Sequence, residues 1–115
     1  MLVTAIVLFT VAAIIGITLA VMHCQGKEVG VPLALVHGLF AATGLVLVII
    51  ALITGAHPML ALVALGFFVM SALGGFVLIA LHIKGRKLPC PLIGVHGLLA
   101  VTGSTLLIWY VVSSV

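Results

Sequence analysis

Two segments of matching composition, each with one histidine, lie 59 residues apart in this sequence. Residues 32–44 and residues 91–103 both read P-L-x-x-V-H-G-L-x-A-x-T-G. His37 and His96 are each surrounded by apolar residues. An imidazole in hydrocarbon is costly unless its nitrogens are bonded, and neutral imidazole is the commonest metal ligand in proteins. This pair is therefore the first candidate for a metal or cofactor site.

A second histidine pair follows the same spacing. His23 and His82 each stand three residues before a glycine, Gly26 or Gly85, in a short polar segment. At about 1.5 Å per residue, all four histidines fall within roughly 4–10 Å of the same end of their helices. We therefore expect them to converge at one level. The only carboxylate, Glu28, lies in a predicted loop, so no buried acid is available to pair with them.

Each of these histidines also has a glycine two helical turns away on the same helix face. Iron in a porphyrin takes two axial ligands from opposite sides, and a flat macrocycle needs bare backbone beside it. Two histidines that face each other across a symmetry axis would provide those ligands. We therefore predict haem b bound by histidine, with four glycines beside it: Gly44, Gly103, Gly16 and Gly75.

The spacing leaves the pairing open, and with it the choice between one and two haems. His37 and His96 could share one haem on the axis, with His23 and His82 as a second pair nearer the surface. His23 could instead pair with His37 and His82 with His96, or His23 with His96 and His37 with His82. His37 and His96 are the preferred ligands, because they lie deepest and have the longest matching motif.

The elements that carry these residues are predicted to be transmembrane helices. The chain is 66% hydrophobic and only 4% charged, whereas a soluble domain has roughly 25% charged residues. A lipid bilayer must therefore be its solvent. Uncharged runs of roughly 20 residues are long enough to span it. They predict an all-α fold, a four-helix transmembrane bundle with helices at residues 2–25, 32–54, 58–84 and 91–112.

An internal repeat covers almost the whole of this single domain, residues 1–115. Residues 1–56 align with residues 60–115 without a gap, and each unit is a pair of helices. Two spans per unit mean that both copies insert the same way round. The pseudo-twofold axis should therefore run along the membrane normal.

The charges indicate the orientation. All four basic residues fall in the loops at residues 26–30 and 84–90. The positive-inside rule places these loops in the cytoplasm and both termini outside, in an inner (plasma) membrane. No basic stripe with interleaved aromatic residues indicates nucleic-acid binding. The same side chains could neutralise the propionates of a haem: Lys27, Lys84, Arg86 and Lys87.

The remaining candidates have weaker signals. Cys24 and Cys90 lie beside the basic loops and are predicted to stay reduced. Residues 22–24, Met-His-Cys, could indicate copper, but the equivalent residues 81–83, Leu-His-Ile, lack sulfur. His57 has no partner in the repeat and is predicted to be an ordinary interfacial residue.

Paired histidines on a small four-helix membrane bundle, each with a glycine two turns away, resemble the b-type membrane cytochromes of the cytochrome b561 and quinol-oxidising cytochrome b kind. The resemblance covers the number of helices and the pattern of the ligand helices. It implies bis-histidine haem b and electron exchange with quinone. The near absence of residues outside the helices favours a redox-protein or membrane-complex partner, and the chain could be part of a quinol-linked oxidoreductase. In those families the haems lie at different depths, whereas all four histidines here are expected at one level.

Two alternatives belong to other functional classes. The first is a small four-span metal-ion or proton transporter that uses the histidine cluster. The chain is similar in length and span count to the small multidrug-resistance exporters, but its first helix lacks the carboxylate that they use. The second is a non-catalytic subunit that packs within a larger membrane complex.

Overall fold

The computed structural model describes residues 1–56 and 58–115, and its fold is the predicted bundle of four α-helices. Each helix begins and ends within one residue of the predicted position. His57, predicted to be interfacial, lies outside the described residues. The helices are α1 (Leu2–Cys24), α2 (Val31–Thr54), α3 (Met59–Ile83) and α4 (Cys90–Ser113).

All four helices suit a membrane. They are 23 to 25 residues long with mean hydropathies of 1.7 to 2.7, and about 20 apolar residues span the hydrocarbon core. Large apolar side chains such as Leu39, Ile53 and Leu98 point away from the bundle and are about two-thirds exposed or more. In water such a surface would be unstable. The chain is therefore a multi-pass membrane protein.

The helices form two hairpins, and the packing within each hairpin is closer than the packing between the hairpins. α1 packs closely on α2 and α3 on α4, whereas the contacts of α2 with α3 and of α1 with α4 are fewer. No Cα atoms of the diagonal pairs, α1 with α3 and α2 with α4, approach within 8 Å among the described residues. The four helices thus form a ring, and the pseudo-twofold axis runs through its centre.

The two basic loops begin with the same turn in both repeats. Gly26 has φ 71° and its N–H donates to the carbonyl of His23 at 3.1 Å, while Gly85 has φ 65° and donates to His82 at 3.0 Å. This left-handed conformation is open to glycine at no steric cost, and it ends both helices in the same way. The turns hold His23 and His82 in the last turn of their helices, at the same end of the bundle.

The packed core lies in the half of the bundle nearer the chain termini. Its centre is the stack of Phe9 on Phe68, with ring centroids 4.1 Å apart and planes 13° apart. These two residues are equivalent in the repeat, so the pseudo-twofold axis passes between their rings. An ideal Cβ on Gly44 would lie 3.0 Å from the Phe9 ring, and one on Gly103 would lie 3.1 Å from Phe68. The stack therefore depends on two glycines.

Replacing Gly44 by alanine should destabilise the bundle. Three atoms of the Phe9 ring lie 3.0 to 3.2 Å from the added methyl group, and Phe68 behind that ring leaves it no room to move. We expect Gly44→Ala to be less stable than a matched Gly66→Ala variant by about 1–3 kcal/mol, as for other overpacked cores. Gly66 has no neighbour within 4 Å of its Cβ position. Thermal unfolding in detergent measures the difference, and equal midpoints would contradict the expectation.

Candidate functional site

A large cavity between the two hairpins runs from the basic loops past the middle of the bundle. Its volume is about 990 Å³, and side chains of all four helices line it. Pockets of roughly 300–1,000 Å³ hold drug-sized ligands and cofactors. The walls are mostly apolar, and the structure brings all four repeated histidines to this one space: His23, His37, His82 and His96.

The four histidines lie at two levels, so the expectation of a single level is wrong. The His37 ring contacts Gly16, eight residues before the end of α1 and therefore about 12 Å inside it. His82 instead donates from Nε2 to the carbonyl of Val29, in the loop between α1 and α2, at 2.7 Å. The rise per residue predicts only how far each Cα atom lies from the end of its helix. The side chain of His37 extends further into the membrane and contacts a deeper turn of α1. We call His37 and His96 the deep pair, and His23 and His82 the mouth pair.

Both rings of the deep pair are held by the same backbone hydrogen bond. His37 Nδ1 lies 2.7 Å from the carbonyl oxygen of Ala12, and His96 Nδ1 lies 2.8 Å from that of Ser71. Ala12 and Ser71 are equivalent positions of the repeat. Because a carbonyl oxygen only accepts, Nδ1 carries the proton, and Nε2 of a neutral ring keeps its lone pair. Histidines that bind metals are oriented by this kind of outer hydrogen bond.

Gly16 and Gly75 make room for the deep pair. An ideal Cβ on Gly16 would lie 2.8 Å from His37 Cε1, and one on Gly75 would lie 3.1 Å from His96 Cε1. Both glycines line the cavity, which agrees with their predicted place beside a cofactor. Their direct neighbours, however, are the imidazoles of the following helix. From the sequence, Gly16 and Gly75 could be related only to the histidines on their own helices, His23 and His82. The contacts with His37 and His96, which lie on the next helix, could not be read from spacing.

Gly44 and Gly103 occupy a different place from the one expected. They were predicted to lie beside a macrocycle, but they contact the rings of Phe9 and Phe68 and are absent from the cavity wall. The physical reason is the packing within each hairpin: the phenyl ring of one helix packs on the glycine of the other, because the glycine has no side chain there. These two glycines therefore support the floor of the cavity.

The two imidazoles of the deep pair lie close together near the axis, with a centroid separation similar to that of two imidazoles bound to one metal ion. Their ring centroids are 6.1 Å apart and their planes are inclined by 74°. Imidazole nitrogen–metal bonds of about 2.0–2.1 Å on both sides, plus the half-width of each ring, place two such centroids roughly 6 Å apart. Among the described residues, no hydrogen bond involves Nε2 of either ring.

The mouth of the cavity is basic. The wall there includes Lys27, Arg86 and Lys87 with Glu28 as the one acid, whereas Lys84 is exposed and does not line the cavity. Three cations against one carboxylate favour an anionic group at this end. Lys84 therefore lies outside the set of side chains that could contact the edge of a bound molecule directly.

The site offers few side chains that could bind a metal ion without a macrocycle. Within residues 1–56 and 58–115, no group of three or more His, Cys, Asp or Glu side chains is arranged to hold a metal ion. Cys24 and Cys90 are exposed free thiols at the basic end of the bundle. The arrangement that the structure does provide is a pair of imidazoles in an apolar cavity.

Comparison with known proteins finds no relative: no family model matches the sequence, and no curated protein or solved structure is significantly similar. The fold and the site define a multi-pass membrane protein with an apolar cavity inside the bundle and two neighbouring imidazoles, one from each repeat, within it.

Proposed function

We propose that this protein is a membrane b-type cytochrome that would hold one haem b between its hairpins, with His37 and His96 as the residues that bind its iron. It would exchange electrons between the quinone pool and a redox partner. The observation that carries this proposal is the 6.1 Å separation of the deep pair across the axis. The equivalent Nδ1 hydrogen bonds support it, because they leave Nε2 of both neutral rings free to bind iron.

Two imidazoles fit haem better than they fit a bare ion. Zinc usually has three or four protein ligands, whereas haem iron has four nitrogens of its own macrocycle and needs only two axial ligands. When bound, haem b would supply reversible one-electron chemistry at its iron. The basic mouth, with Lys27, Arg86 and Lys87, suits the two propionates, and the apolar wall suits the rest of the ring.

The mouth pair supports one haem rather than two. Because His82 donates from Nε2 to the carbonyl of Val29, this nitrogen is not available as a metal ligand in the structure. The difference in level also argues against pairing either mouth histidine with a deep one. Of the three possible pairings, His37 with His96 is therefore the one that we propose.

The cavity also suits a lipid-soluble redox partner such as quinone. Leu39 and Phe76, on one side of the ring of helices, both line the cavity and are about two-thirds exposed. The cavity therefore reaches the surface that faces lipid. In the other direction the Phe9–Phe68 stack fills the axis, which argues against a transport path through the bundle.

The direct test is the visible spectrum of the purified protein, followed by a haemin titration of any haem-free fraction. We expect a Soret band that shifts on reduction with dithionite, and saturation at one haem per chain. Saturation at two would restore the mouth pair as ligands. A colourless protein that does not take up haemin overturns the proposal; bound zinc or copper would then favour a transporter, and a metal-free protein would favour a packing subunit.

The proposal makes Gly16 sensitive to substitution. A methyl group there would lie 2.8 Å from Cε1 of His37, so the ring must leave the position in which Nδ1 bonds Ala12. We expect Gly16→Ala to lower haem affinity by roughly 10–100-fold, as when an outer hydrogen bond of a metal ligand is removed. Gly66→Ala is the matched control and should titrate like the unmodified protein. Equal haem affinities of the two variants would contradict the assigned contact.

A further inference from the structure

Ser71 makes the two deep histidines unequal. It is the only buried polar side chain among the described residues, at 5% exposure, and its repeat equivalent is Ala12. Its hydroxyl donates to the backbone carbonyl of His96 at 3.0 Å and lies 3.2 Å from His96 Nδ1. Its own carbonyl accepts from His96 Nδ1 at 2.8 Å. His96 is therefore fixed through both its ring and its backbone, whereas His37 has only the bond from its ring to Ala12.

Two positions of the cavity wall differ in the same direction. Ala20 and Ala34 line it in the first repeat, and the equivalent wall residues of the second repeat are Ile79 and Ile93. Ala34 and Ile93 each stand one helical turn before the deep histidine of their own helix. The smaller side chain at this position hinders movement of the His37 imidazole less.

From these two asymmetries we propose that His96 is the permanent ligand of the iron and His37 the exchangeable one, so that a small uncharged molecule can bind in place of His37. This inference rests on the proposed function. In the exchange His37 would give up the bond from its Nε2, the incoming molecule would take its place, and no electron would be transferred. Ser71 acts as a positioning residue, because it contacts His96 and not the incoming molecule.

Carbon monoxide is the probe, and its binding rate to the dithionite-reduced, haem-loaded protein is the measurement. Departure of a histidine limits this rate. Ala12→Ser gives the first repeat the hydroxyl that the second already has, and we expect it to slow binding about fivefold, the effect of one ordinary hydrogen bond. Ser71→Ala leaves His96 with only the bond from its ring to the main chain, as in His37, and should quicken binding by up to about twofold, because either histidine could then leave. Thr102→Val, which removes an exposed hydroxyl from α4, is the control and should leave the rate unchanged.

A second measurement covers the case in which Ala12→Ser does not fold or does not bind haem. In the haem-free protein, ¹⁵N NMR of the imidazoles should show faster solvent exchange of the Nδ1 proton in His37 than in His96, and Ser71→Ala should bring the two rates together. An Ala12→Ser rate equal to or above that of the unmodified protein overturns the inference, as does slower binding in Ser71→Ala or an equal exchange of both protons. Failure to bind haem at all would count against the proposed function instead.

Discussion

Replacing either His37 or His96 by alanine is expected to abolish bis-histidine haem binding. In the proposed site each imidazole would supply one bond to the iron, and among the described residues no further histidine lines the cavity at the level of the deep pair. The loss in affinity should exceed the roughly 10–100-fold that follows removal of an outer partner of a metal ligand. The Soret absorbance per mole of purified protein measures it, with haemin titration of the haem-free variants as a second readout.

The mouth pair supplies a matched control for that experiment. His82→Ala removes an imidazole from the same cavity, but one whose Nε2 bonds Val29, so the variant should keep its full haem content. Gel filtration in detergent shows whether each variant remains folded. If His37 and His96 can both be replaced with the absorbance intact, the assignment of the ligands is wrong.

The helices of this protein could be predicted almost to the residue. Long apolar runs, interrupted by prolines at helix starts and by Gly26 and Gly85 just beyond helix ends, leave few alternatives in a bilayer. The repeat then shows that both units have the same orientation in the membrane, because two spans return the chain to the side from which it began. Neither inference requires knowledge of how the helices pack.

The contacts of the site were harder to predict, because they join different helices. Spacing places Gly44 and His37 on one face of α2, but hairpin packing decides that Phe9 covers the glycine and that Gly16 receives the imidazole. The same packing separates the histidines into two levels. The spacing of residues along one helix does not determine how far an adjacent helix is shifted along the bundle axis.

Ser71 is one of the few hydroxyls that could bond a buried imidazole, and the sequence contains a signal that singles it out. In the alignment of the two repeats it stands opposite Ala12, as a hydroxyl within an otherwise apolar helix. A buried hydroxyl is costly without a partner, so its presence indicates a bond to a neighbouring element. The repeat therefore predicts the shared framework, and the positions at which its copies differ indicate where the two halves have unequal roles.

Water-soluble electron donors should reach the haem of the proposed cytochrome from one face of the membrane only. The cavity has a mouth with Lys27, Arg86 and Lys87, while the stacked rings of Phe9 and Phe68 fill the axis in the other direction. From Gly16, at the level of the deep pair, to Leu2 at the far end of α1 is about 21 Å of packed helix. In proteoliposomes, a membrane-impermeant reductant should therefore reduce only those haems whose basic loops face it.

The exposed thiols Cys24 and Cys90 allow the orientation to be counted in the same vesicles. Both lie at the basic end of the bundle, so an impermeant maleimide labels only molecules with that end outside. The fraction of haem reduced from outside should equal the labelled fraction across preparations, and a permeant reductant should reduce the remainder. Full reduction by the impermeant reagent at partial labelling would show that electrons also pass the Phe9–Phe68 stack. Since the basic loops are predicted to face the cytoplasm, agreement of the two fractions would mean that the proposed cytochrome exchanges electrons with water-soluble partners on the cytoplasmic side.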